Sequence, residues 1–220
     1  MIYFYWKFAI YARGEINLNK PFWEESYKDD SVSTFGIEPN QSVKEYEHLF
    51  DKAWNVLEIG CGEGKNPIYL ASRGFSNIDA FDLSENGIAK LSRLANKNDM
   101  QINAWVQDLR EFQFDKHYDL IISFGTLHFV EKRDWKSLLL NAKENTSLGG
   151  IHIIQVFTNS VPASPDIAPF TIGLADDKEL ENLYAGWDIL ESKSYTFEDE
   201  HPGAPKHIHA ANRVVAQRIA

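Results

Sequence analysis

From residue 50 onward, short apolar runs alternate with segments whose apolar residues recur every three or four positions. The first pattern predicts buried strands and the second amphipathic helices. Trp54–Ile59 is an apolar run closed by glycines and predicts the first strand. Asn66-Pro67 then predicts a helix start, with an N-cap side chain followed by proline at the first helical position, and Gly74 is placed to end that helix. Ile78–Asp82 predicts a second strand, and Ser84 the N-cap of a helix whose Ile88, Leu91, Leu94 and Ala95 share one face. Ile102–Asp108 and Tyr118–Ser123 predict strands three and four, the latter apolar almost throughout, as a central parallel strand is. A helix around Trp135–Glu144 stops at Gly149-Gly150, and Ile151–Phe157 predicts strand five. This alternation points to a doubly wound α/β sheet, mostly parallel.

The C-terminal part breaks the alternation. After Pro162, Pro165 and Pro169 come a short helix, Asp176–Tyr184, and two β-rich runs, Ile189–Phe197 and His207–Ile219, separated by Glu198–Lys206. Two strands joined by one loop predict an antiparallel hairpin. The expected fold is therefore a seven-strand mixed sheet, five parallel strands closed by that hairpin, with helices on both faces. No internal repeat or linker marks a second domain. Residues 46–220 are expected to form one domain, with residues 1–45 as an N-terminal leader and lid segment.

The composition, with 44% hydrophobic and 25% charged residues, is that of a globular chain. The single cysteine, Cys61, excludes an internal disulfide framework and a multi-cysteine zinc site, and no metal is expected. Thirty-two acidic against 22 basic residues give a net charge of -10, a poor match for nucleic acid, whose binders neutralise phosphates. Residues 1–12 are strongly apolar, yet shorter than the roughly 20 needed to span a bilayer and interrupted by Lys7. They also lack the basic region and cleavage site of a secretory signal. A soluble, cytoplasmic protein with a small-molecule partner is expected, with neither membrane nor nucleic acid; its oligomeric state is left open.

Candidate chemistry starts at Glu58-Ile-Gly60-Cys61-Gly62-Glu63-Gly64, between the first strand and the first helix. Glycines belong where the chain turns sharply and a ligand approaches the backbone, and in an open α/β sheet this crevice is the ligand site. A dinucleotide fingerprint would need glycine at position 65, where Lys65 stands, and Glu63 would oppose a pyrophosphate. A P-loop motif is absent from the chain.

Val56–Gly64 resembles the first motif of the class I, Rossmann-like S-adenosylmethionine-dependent methyltransferases. Asp82 resembles the acid that accepts the ribose hydroxyls, Asp108-Leu109 the pair at the adenine, and Ser123–Thr126 the segment between cofactor and acceptor. The resemblance implies S-adenosylmethionine as cofactor, held by Glu58, Gly60, Cys61, Gly62, Gly64, Asn66, Asp82, Leu83, Asp108, Leu109, Ser123 and Phe124. Cys61 itself reads as a small buried hydrophobe rather than a nucleophile.

Ser-Phe-Gly-Thr after strand four differs from the Asn-Pro-Pro-Tyr type segment of amino-methylating DNA enzymes, which leaves small-molecule acceptors. Gly62–Asn66, Tyr118–Ser123, Pro169–Thr171, Tyr184–Trp187 and the closing hairpin resemble the TehB-type tellurite-resistance methyltransferases. The resemblance implies methyl transfer to a thiol or a chalcogen oxyanion. In that family a histidine and an arginine of the hairpin region act on the acceptor; the matching region here offers His201, His207, His209 and Arg213, and its loop carries Lys206 but no arginine. His201, in the loop expected to arch over the strand ends, His128, just after strand four, and Arg213 are the catalytic candidates. His207 and His209 alternate with Ile208, share a side of their strand, and with Trp23 and Phe35 are the substrate-binding candidates. Trp23, Tyr27 and Phe35 are the aromatics expected to close the pocket over the sulfonium. Two other readings stand beside this one: a non-catalytic S-adenosylmethionine-binding module and a nicotinamide-dependent oxidoreductase.

Overall fold

The computed structural model describes residues 20–201 and 204–220, without the side chains of residues 201, 204 and 205. Seven strands form one sheet: β1 Val56–Ile59, β2 Ile78–Asp82, β3 Asn103–Val106, β4 Tyr118–Ser123, β5 Thr146–Phe157, β6 Asp188–His201 and β7 Ala204–Gln217. Their order across the sheet is β3-β2-β1-β4-β5-β7-β6. The first five strands pair in parallel, and β7 is antiparallel to both β5 and β6. This is the mixed sheet the sequence predicts. The chain winds outward from β1 through β2 to β3, then returns to add β4 on the other side of β1. Crevices for ligands open at such a reversal.

Alternation along the strands assigns the two faces. Leu57, Ile59, Ile121 and Ile154 point to one side, where they bury Trp135, Leu138 and Leu139 of helix α5 (Lys132–Glu144) and Leu180 of α6 (Glu179–Leu183). Val56, Leu120, Ile122 and Ile153 point to the other, against Val43 of α2 (Gln41–Tyr46) and Leu70 of α3 (Lys65–Ser72). A third cluster joins Ala80 to Ile88 and Leu91 of α4 (Glu85–Lys97). Among the described residues no helix is long and apolar enough to cross a membrane.

Local signals are met in different degrees. Ser84 caps α4 as expected, its hydroxyl accepting the Gly87 N–H at 3.0 Å. Helix α3 instead starts two residues early: Gly64, at φ 87°, holds the N-cap position, and Asn66 lies inside the helix. The Asn66 amide turns inward and donates to Glu58 Oε1 at 2.6 Å rather than capping. Strand β5 begins at Thr146, ahead of the two glycines, with a register irregularity against β4 between Tyr118 and Leu120. The hairpin is the main correction. The predicted loop Glu198–Lys206 is mostly strand, because pairing continues through Glu198↔Ile208 and Asp199↔His207 to His201↔Ala204. A cross-strand ion pair, Lys206 Nζ to Glu198 Oε2 at 2.7 Å, supports this extension, and like pairs across a ladder favour opposite charges.

Candidate active site

The carboxyl ends of β1, β2, β4 and β5 open into a cavity of about 710 Å³. Its floor is the glycine loop. Gly60 and Gly62 have positive φ of 72° and 54°, and a Cβ at Gly60 would lie 2.0 Å from Thr126 Oγ1. A Cβ at Gly62 would lie 2.6 Å from the Tyr27 hydroxyl. Glycine is thus required twice over, by the backbone twist and by what packs against it.

Two carboxyl groups stand at the foot of this loop. Glu58, on β1, is buried; its Oε1 accepts from Asn66, while no described residue partners Oε2. Burial pushes its pKa up to about 8. Asp82 closes β2. One of its oxygens accepts the Gly62 N–H and the other the Ser84 N–H, both at 2.8 Å. Burial raises its pKa, against the pull of those backbone N–H groups. Asp108 also lines the cavity, with Arg110 bonded to both its oxygens, which holds its carboxyl below the usual range. Cys61 is buried and burial pushes its thiol pKa well up, so it offers no thiolate.

The roof is aromatic and comes from the N-terminal segment. Helix α1 (Trp23–Ser26) carries Trp23, whose ring lies 5.2 Å from Phe22 and 5.2 Å from Phe129. Phe35 lies 6.4 Å from Trp23 and 6.5 Å from Tyr27. The segment before Phe35 is tied to the floor. Glu63 Oε1 accepts from the backbone N–H of Thr34 (2.7 Å) and Phe35 (3.2 Å), and its other oxygen meets Lys90 Nζ at 2.7 Å in a buried ion pair. Lys90 also donates to the carbonyls of Asp29 and Val32.

The far end, beyond β4, is built differently. His128 sits in the turn Leu127–Phe129, wholly buried, its ring stacked on Phe157 at 4.2 Å and 8°. Neither of its ring nitrogens meets a partner among the described residues. Burial, with His209 nearby, lowers its pKa to about 3. His209 stacks on the same Phe157 ring at 4.6 Å, and its Nε2 lies 2.9 Å from Nε2 of the half-buried His207.

Nine of the twelve residues expected at the cofactor line the cavity: Glu58, Gly60, Cys61, Gly62, Asp82, Leu83, Asp108, Leu109 and Phe124. Gly64 instead caps α3, Asn66 stands behind Glu58, and Ser123 is buried away from the cavity wall. Trp23, Phe35, His128 and His209 line it as well, and His207 reaches it only through His209. Arg213 does not line the cavity. It is bound to Glu191 at 2.7 Å and lies over the Tyr195 ring, so its charge is used within the hairpin. The backbone of His201 ends β6, and its side chain lies outside the described residues. Sequence reasoning did not single out Gln155, Phe157, Phe170 or Phe197, all of which line the cavity. Gln155 carried a signal, as the polar interruption of an apolar run; its amide donates to the Tyr195 hydroxyl at 2.6 Å.

A family model described as tellurite resistance protein TehB matches residues 35–202. The chain belongs to the TehB family. Of curated TehB-like proteins, the "Probable S-adenosyl-L-methionine-dependent methyltransferase TehB" of Haemophilus influenzae is 32% identical over 136 residues, 62% of this chain and 46% of that protein. A "Ubiquinone biosynthesis O-methyltransferase" of Rickettsia typhi is 32% identical over 108 residues, 49% of this chain and 43% of its own length. The chain thus spans about half the length, or less, of the curated relatives it matches. The crystal structure of TehB from Haemophilus influenzae shares the fold, with a TM-score of 0.71 at 24% identity over 90% of this chain and 66% of that one.

Proposed function

We propose that this TehB-family chain is an S-adenosylmethionine-dependent methyltransferase acting on a small-molecule acceptor. The observation that carries the reading is the unpartnered, buried Glu58 oxygen beside the glycine loop, in one cavity with Asp82. A buried polar atom without a partner is costly unless a ligand answers it. The donor set fits this cofactor. Glu58 would accept from the ammonium of its methionine part, and Asp82 keeps lone pairs on both oxygens for a vicinal diol. The names of the relatives support the same reading, and they span acceptors as different as those of the TehB and ubiquinone enzymes.

When bound, the cofactor supplies a methyl group already activated on a sulfonium. What remains for the protein is positioning in a dry site, which can be worth on the order of 7–11 kcal/mol. The glycine loop lets the backbone approach closely, and Glu58 and Asp82 would hold the methionine and ribose parts of the cofactor. Trp23, Tyr27 and Phe35 keep water out and present ring faces suited to a cation.

Calorimetric titration with S-adenosylmethionine and with NAD tests this. Binding of the first alone is expected, with Asp82→Asn weakening it by tenfold to a hundredfold, the loss of about 1.5–3 kcal/mol for a hydrogen bond to a charged group. A folded protein that takes NAD instead, or neither, would overturn the reading.

A further inference from the structure

The far end of the cavity has a chemistry of its own. Among the described residues, six carboxyl groups line the cavity (Glu24, Glu58, Glu63, Asp82, Asp108, Asp199) against two cations, Lys65 and Arg110. Arg110 is bound to Asp108, and Lys65 lies in the field of Glu58, Glu63 and Asp199. With Arg110 held by Asp108 and Glu63 held by Lys90, Lys65 is the lining cation outside an ion pair among the described residues, 3.5 Å from the Phe35 carbonyl. Carboxyl groups still outnumber cations, and an oxyanion would meet net negative charge. The walls beyond β4 are instead ring faces: Phe129, Phe157, Phe170 and Phe197, with Trp23 6.3 Å from Phe170. Within this apolar wall His128 has no partner for either nitrogen among the described residues, although a buried imidazole has a donor and an acceptor to satisfy. With its pKa near 3 it stays neutral, so it offers a hydrogen bond and no charge. Beside it, His209 and His207 link the cavity wall to a half-exposed position through one Nε2···Nε2 contact of 2.9 Å.

Resting on the methyltransferase reading, we propose that the acceptor is an uncharged aromatic molecule bearing one ionisable O–H or S–H, a phenol or an aryl thiol. Its ring lies among the phenylalanines and its polar atom bonds to His128. The acceptor's oxygen or sulfur forms the new bond to the methyl carbon as the methyl–sulfonium bond breaks, the pair staying on the cofactor sulfur and cancelling its charge. The displaced O–H or S–H proton goes to His209, and a proton leaves through His207 to water.

The experiment measures S-adenosylmethionine binding by calorimetry, and S-adenosylhomocysteine formation with thiophenol, phenol and sodium tellurite. Wild type, His128→Met and His128→Gln are compared. The expected result is turnover of at least one aryl acceptor and none of tellurite. In His128→Met, KM for that acceptor should rise about tenfold or more at unchanged cofactor affinity, the loss of one hydrogen bond to a buried group. His128→Gln, which keeps a donor and an acceptor, should recover part of the loss. Cofactor binding with tellurite turnover at or above the aryl rate, with no aryl turnover, or with an unaltered KM in His128→Met overturns the acceptor alone. Absence of cofactor binding overturns the reading beneath it as well.

Discussion

The two sides of β5 each bury a histidine completely, and the pair separates structural from ligand-facing burial. His152 faces the helical layer of α5 and α6. Its Nε2 lies 2.7 Å from Thr146 Oγ1, which gives its own proton to the Ala142 carbonyl, so the ring must donate there. Its Nδ1 lies 2.7 Å from the Tyr184 hydroxyl, which donates in turn. His128, on the cavity side, has the same burial and the same pKa near 3, yet no described partner at either nitrogen. Equal burial with unequal satisfaction marks the cavity as the place where the fold leaves bonding capacity for something else.

The largest expected contrast is in stability. His152→Ala strands Thr146 and Tyr184 and opens a void, and should lower unfolding free energy by about 3–5 kcal/mol in urea titrations. A loss under about 1 kcal/mol would break the comparison. Acid comes next. Both folded-state pKa values lie below the unfolded value of 6.5, so each histidine's contribution is intact above pH 6.5 and lost as pH falls, at about 1.4 kcal/mol per unit. Denaturation of wild type and His152→Gln between pH 7 and 5 should show that difference in slope, because the opposite contribution of Glu58 cancels between them. Ligand binding sharpens the cavity side. With Glu58 near pH 8 in the free protein, cofactor affinity should rise up to tenfold per pH unit toward 8 and level off above it. Proton release, measured by titration in buffers of different ionisation heat, should accompany binding below that point; a flat profile would remove Glu58 from the site. The smallest effect has the opposite sign to the first. His128→Met replaces an unsatisfied ring with an apolar chain of similar bulk, and should leave the free protein unchanged or more stable by about 1 kcal/mol.

These two regions also differ in how far the sequence discloses them. The cofactor end is local: Gly60 and Gly62 are legible because a sharp turn beside a strand dictates residue type, and Glu58 and Asp82, each at or near a strand end, are legible through the motif resemblance. The far end is assembled from separate stretches, Phe22–Phe35, His128-Phe129, Phe157, Phe170, Phe197 and His209, whose meeting depends on the whole sheet. Phe35 stands out beside Trp23 and Tyr27, whereas nothing in the sequence marks Phe157 or Phe197 as cavity residues. That Arg213 pairs with Glu191 rather than lining the cavity is hidden too, because spacing alone does not reveal Glu191 on the neighbouring strand. The hairpin loop is predicted too long because its polar residues mask a ladder that continues to His201 and Ala204.

The contact of Glu63 with Lys90 reaches further than its size suggests. One carboxylate, in the loop that forms the floor, holds the backbone from which Phe35 hangs, and Lys90 reinforces the same hold from α4. Ceiling and floor are therefore inherited as a single part. The TehB family match begins at Phe35, whereas Trp23 and Tyr27 precede it. A chimaera that exchanges those first residues between relatives must carry positions 63 and 90 with them, or the new ceiling will have nothing to hang from.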